Sequence, residues 1–162
     1  MMALVTFGIA LVASLLLIPV VRRFCVRRGY VAQPRDDRWH REPTPVLGGM
    51  AIFLAFVISI AASVLISGAQ IEVRWGLLVV AGFVFALGMY DDIRELSPQA
   101  KLIGQILAAT AVVFLGYTTD FFSPKIENEI VAQIPNIILT YIWIIGITNA
   151  INLLDNMDGL AG

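Results

Sequence analysis

The sequence predicts an all-α polytopic membrane protein with five transmembrane helices in this chain and its N-terminus outside. Composition sets the solvent: 59% of the 162 residues are hydrophobic, 14% are charged, and the mean hydropathy is +0.84. A soluble domain is about 45–50% apolar and about 25% charged. Charged residues are also missing from 1–21, 46–71, 75–90, 102–119 and 130–154. A spanning helix needs about 20 mainly apolar residues (roughly 17–25), and lipid forces such runs to satisfy their own backbone as helices.

Each run is taken in order, as a single transmembrane domain over 1–162. The first gives a helix near 2–22. It is not a signal peptide, because no positive charge precedes its apolar core and Arg22, Arg23, Arg27 and Arg28 follow it. Helices are expected near 47–68, 75–91, 101–118 and 134–153, the third being short enough to borrow interfacial residues. Orientation follows from the excess of basic residues in cytoplasmic loops. Nine of the eleven Lys and Arg residues fall in one set of connections (22–46, 91–101), and only Arg74 and Lys125 fall in the other. That places the loop 22–46, the loop 91–100 and the segment after Asn149 on the cytoplasmic side of a plasma membrane. A net charge of −1 offers no basic excess for nucleic acid. The single cysteine, Cys25, excludes an internal disulfide and gives no metal cluster.

Three polar clusters lie on that side. The loop QPRDDRWHREPTPVLGG (33–49) combines arginines, the sole histidine His40, stiffening prolines and a Gly48-Gly49 pair. Its bland reading is a basic loop rich in turn residues. Asp91-Asp92 follow an apolar run directly, where ionisable groups are a functional signal. Adjacent carboxylates raise each other's pKa unless a cation lies between them, and such oxygens suit Mg²⁺ together with waters and phosphates. The bland reading is a solvated interfacial turn. The third cluster, NAINLLDNMDGLAG (149–162), repeats polar residues at 149, 152, 155 and 158, each step of three turning a helix by about −60°. Aspartates at a helix C-terminus have the wrong sign for the dipole, which favours a bound cation or ligand over a cap.

These motifs, in this order, resemble the polyprenyl-phosphate N-acetylhexosamine-1-phosphate transferases. The group includes undecaprenyl-phosphate GlcNAc-1-phosphate transferases and phospho-N-acetylmuramoyl-pentapeptide transferase. Arg38–Gly49 matches R-x-H-x-x-P-x-P-x-x-G-G, Asp91-Asp92 the aspartate pair, and Asn149–Ala161 the N-A-x-N-L-x-D-G-x-D-G-L-A segment, with Asn156 where the family has glycine. The resemblance implies transfer of a sugar 1-phosphate from a UDP-N-acetylhexosamine to undecaprenyl phosphate, releasing UMP, with Mg²⁺ as cofactor. It implies catalytic roles for Asp91 and Asp92, and leaves open whether an aspartate attacks phosphorus or activates the lipid oxygen. Arg38, His40, Arg41, Asn149, Asn152 and Asp155 would bind substrate, and Asp91, Asp92 and Asp158 would serve the metal. Family members have about twice this length and ten or eleven spans, so the chain is expected to be a truncated first half, inactive alone. Homodimerisation stays open. The Arg-x-His spacing favours the GlcNAc-1-phosphate type over the peptidoglycan enzyme. From the residues alone, a cation transporter using the same aspartates is the rival of a different class, and an inactive structural fragment is a third reading.

Overall fold

The computed structural model describes residues 2–32, 44–45, 47–67, 74–123 and 128–154. Five helices run through them: α1 (Met2–Arg28), α2 (Gly48–Ser67), α3 (Trp75–Arg94), α4 (Pro98–Phe114) and α5 (Glu129–Leu154). A ladder of two residues per strand, β1 (Val31–Ala32) against β2 (Thr44–Pro45), is antiparallel in the register Val31↔Pro45 and Ala32↔Thr44. Within α1, α2, α3 and α5 the helix is long and apolar enough to cross a bilayer; α4, with 17 residues, is shorter.

Local chemistry sets the helix ends. The first helix runs past residue 22 to Arg28, because arginine stems can lie along an apolar surface and their charge suits a helix C-terminus. It then closes on Gly29 at φ 77°, with Tyr30 N–H donating to Cys25 O at 2.9 Å. The same left-handed glycine closure ends α4 at Gly116 (φ 82°), where Tyr117 N–H donates to Val112 O at 3.1 Å. At its other end α4 starts at Pro98 rather than near 101, since Ser97 Oγ accepts from Ala100 N–H at 3.3 Å and proline suits the first turn. Asn128 caps α5, its Oδ1 accepting from Ile130 N–H (3.1 Å) and Val131 N–H (3.3 Å). That starts the helix at Glu129, ahead of Pro135, whose missing N–H the helix accommodates internally.

The chain forms two compact units. In the first (1–74 with 89–95), α1 and α2 pack antiparallel. Their contact is a stripe of small residues on α2, with Ala51, Ala55, Ser59 and Ser63 all buried at every fourth position. Small residues let two helix backbones approach closely, which drives association where lipid removes the hydrophobic gain. At one end Thr6 and Ser63 share a hydrogen bond of 2.7 Å. At the other, Val21, Cys25, Leu47 and Ala51 form a buried cluster against which Leu17, Met50 and Met89 pack.

The second unit (75–88 with 96–162) holds α4 against α5, and small residues are buried on both: Gly104, Ala108 and Ala109 on one helix, Ala132 on the other. Leu87 of α3 fills the notch at Gly104, where an added Cβ would meet its Cδ1 at 3.0 Å. The connection after α4 is tied to α5 by polar atoms. Thr119 N–H donates to Thr140 Oγ1 at 2.9 Å, and Phe122 N–H donates to Asn136 Oδ1 at 2.9 Å. The Asn136 Nδ2 donates in turn to Ser123 Oγ at 3.0 Å.

Ala55→Leu should wedge α1 and α2 apart and lower stability by about 1–3 kcal/mol. Leu65→Ala, at a position 81% exposed, should stay within about 0.5 kcal/mol. Thermal unfolding of the two variants in detergent micelles checks the contrast.

Candidate functional site

Asp91 and Asp92 occupy the last turn of α3, Asp91 half-buried and Asp92 exposed. The helix reaches Arg94 and then turns at Glu95, whose φ of 50° and ψ of 79° are left-handed. Its N–H donates to Asp91 O at 2.8 Å. A non-glycine residue in that conformation carries a cost on the order of 1 kcal/mol. The backbone thus leaves its helical course directly after the aspartate pair. Two residues before the pair, Met89 anchors the turn against the Val21–Cys25–Leu47–Ala51 cluster.

The same unit holds the β1–β2 ladder, which pairs Val31–Ala32 with Thr44–Pro45. That ladder is not foreshadowed in the sequence, since two residues per strand leave no periodic pattern to read. Arg38, His40 and Arg41 lie outside the described residues, as do Asp155 and Asp158. Around the end of α1, open hollows are lined by Arg22, Arg23 and Arg27 beside Pro19 and Val26. Arg28 stands over the Phe24 ring at 5.6 Å.

Carboxylates at a helix C-terminus meet the negative end of its dipole, disfavoured by about 0.3–1 kcal/mol each at an exposed site. A cation reverses that sign. Asp91 and Asp92 stand at consecutive helical positions, whose side chains diverge, and either carboxylate could give an oxygen to Mg²⁺, which takes one or two and completes its shell with water and phosphate oxygens. Among the described residues no group of three His, Cys, Asp or Glu side chains gathers as a metal cage.

In the second unit, α5 carries Asn149 and Asn152 in regular helix up to Leu154, both exposed. Asn149 is held from two sides. Its Nδ2 donates to Gln105 Oε1 at 2.7 Å and to Ile145 O at 2.8 Å, while Gln105 Nε2 donates to Asn149 Oδ1 at 3.3 Å. Gln105 itself is 6% exposed, on α4. Gln105 belongs to none of the three polar clusters read from the sequence. The available signal was a lone amide inside the uncharged run 102–119, since a buried amide there requires a partner.

The family model described as glycosyl transferase family 4 matches residues 74–162, the stretch carrying both the aspartate pair and the asparagines. The chain belongs to glycosyl transferase family 4. Among its relatives is a protein of Bacillus subtilis (strain 168) named probable undecaprenyl-phosphate N-acetylglucosaminyl 1-phosphate transferase. The two are 38% identical over 97% of this chain and 43% of the relative. A decaprenyl-phosphate N-acetylglucosaminephosphotransferase of Mycolicibacterium smegmatis is 32% identical over 87% of this chain and 37% of its own length. A phospho-N-acetylmuramoyl-pentapeptide-transferase of Listeria innocua is 27% identical over 96% of this chain and 53% of its own. The chain thus spans about half or less of the length of each of these relatives. No solved structure matches the chain significantly.

Met89→Ala should loosen the turn that bears the aspartates. In the full-length protein it is expected to lower stability by about 1–2 kcal/mol, below the range for a fully buried methionine because Met89 is only half-buried. Thermal unfolding measures the loss, and an unchanged transition would show that the anchor is not needed.

Proposed function

We propose that the protein containing this chain transfers a sugar 1-phosphate from a UDP-N-acetylhexosamine to undecaprenyl phosphate, releasing UMP, as the first membrane step of a cell-envelope polysaccharide. The observation that carries this reading is the 38% identity, over 97% of the chain, to a relative named for transfer to undecaprenyl phosphate. The identity to the pentapeptide transferase is lower, at 27%. That favours the N-acetylglucosamine type, with the peptidoglycan reaction as the second reading. Family membership also weakens the cation-transporter alternative.

In the proposed topology the N-terminus is outside, α4 is a fifth span, and the aspartate pair and the end of α5 face the cytosol of a multi-pass plasma-membrane protein. The whole fold would have ten or eleven helices. The asymmetry of basic residues supports this orientation.

The chemistry joins two anions. An oxygen of the lipid phosphate forms a bond to the phosphorus that bears the sugar. The bond from that phosphorus to the bridging oxygen breaks, and the electron pair leaves with UMP. Such transfers depend on positioning and charge stabilisation. Asp91 and Asp92 would hold Mg²⁺, with Asp158 in support; when bound, the ion screens the repulsion between the phosphates. Asp91 or Asp92 would also accept the proton of the lipid phosphate. Arg38, His40 and Arg41 would contact phosphate oxygens, for which a guanidinium fork is suited. Asn149, Asn152 and Asp155 would line the nucleotide-sugar site.

In the full-length protein, Asp91→Asn and Asp155→Asn should each cut UMP release by roughly 100- to 1,000-fold, the scale of losing a charge-stabilising group, with membrane insertion intact. Near-normal release by both would sink the site assignment. Excess EDTA should abolish turnover of the unmodified protein and added Mg²⁺ should restore it; full turnover in EDTA would exclude the metal role.

A further inference from the structure

The reciprocal amide pair between α4 and α5 fixes more than packing. A backbone carbonyl only accepts, so the Asn149 atom 2.8 Å from Ile145 O has to be the NH₂ nitrogen. The second N–H of that nitrogen goes to Gln105 Oε1 at 2.7 Å, and the Asn149 carbonyl receives Gln105 Nε2 at 3.3 Å. Both donors of Asn149 are then committed. One lone pair on Oδ1 remains, on a side chain that is itself exposed. Gln105 is buried at 6% exposure, so its own amide has no water with which to exchange this partner.

We infer that Gln105 is a positioning residue that locks the Asn149 amide so that it presents an acceptor to the substrate. Resting on the transferase reading, this assigns Asn149 to a hydroxyl or N–H of the nucleotide sugar and not to a phosphate oxygen, which would need a donor. Without Gln105 one N–H of Asn149 is released and the amide keeps its tie to Ile145 O, so the free lone pair of Oδ1 is no longer held in one direction.

The test uses the full-length protein with UDP-N-acetylglucosamine and undecaprenyl phosphate. Gln105→Leu, or Gln105→Met should the first not fold, is expected to lower kcat/KM for the nucleotide sugar on the order of tenfold, the scale of one oriented hydrogen bond. KM for the lipid phosphate and inhibition by inorganic pyrophosphate should stay within about twofold, because neither depends on an acceptor. Combined with Asn149→Ala, the Gln105 variant should add nothing beyond Asn149→Ala alone, as expected for a residue acting through another. Additive losses, or weakened pyrophosphate inhibition, would overturn the inference. If the unmodified protein releases no UMP, the transferase reading falls, and the pairing is decided separately by NMR. The Asn149 side-chain amide signal, identified by its loss in Asn149→Ala, should move in Gln105→Met, and an unmoved signal refutes the lock.

Discussion

Inside a bilayer a polar group without a partner costs several kcal/mol, and that constraint organises this chain. Serines of α2 return their hydroxyls to their own helix, as Ser63 Oγ does to Ser59 O at 2.7 Å. Others reach the neighbouring helix, as Thr110 does to Tyr141 at 2.7 Å. Among the described residues no buried side-chain nitrogen or oxygen is left without a hydrogen bond. The polar side chains are therefore helix connectors as much as candidate ligand groups, and Asn149 is both.

Close approach makes those connections reachable. Ala51 and Ala55 bring α2 against α1, and α4 likewise buries Gly104, against Leu87 of α3, together with Ala108 and Ala109. A short amide such as Asn149 spans an interhelical gap only if the backbones are near, and the small buried residues beside Gln105 leave room for that approach. Larger side chains at those positions would separate the amides before they removed any of them.

What the sequence made legible follows from the same physics. The gaps in charge located all five helices, because the cost of an ion in lipid writes itself directly into composition. The ends were less legible: α1 carries four arginines inside its helix, and α5 begins ahead of a proline. There, capping by Gly29 and Asn128 overrode the simpler rules about charge and Pro. Gly29, Ser97-Pro98 and Gly116 were readable signals, whereas the β1–β2 ladder is too short to leave one. Of the candidate site, the residue types and their order were visible, but the partnership of Gln105 with Asn149 was not. No local pattern links positions 44 residues apart in sequence.

The end of α3 is where local stability and proposed function conflict. A helix built only to be stable would end on basic residues and glycine, as α1 does with Arg27, Arg28 and Gly29. The third helix does end on one arginine, Arg94, but places two aspartates in the same turn and a left-handed Glu95 after it. Each choice works against the dipole or the backbone by an amount on the order of 1 kcal/mol. Met89, packed on the α1–α2 cluster, holds the turn in spite of them. Residues that disfavour their own helix, yet are fixed there by a neighbouring core, support the role proposed for the aspartate pair. A cation bound there, as proposed, would reverse the sign of the dipole contribution.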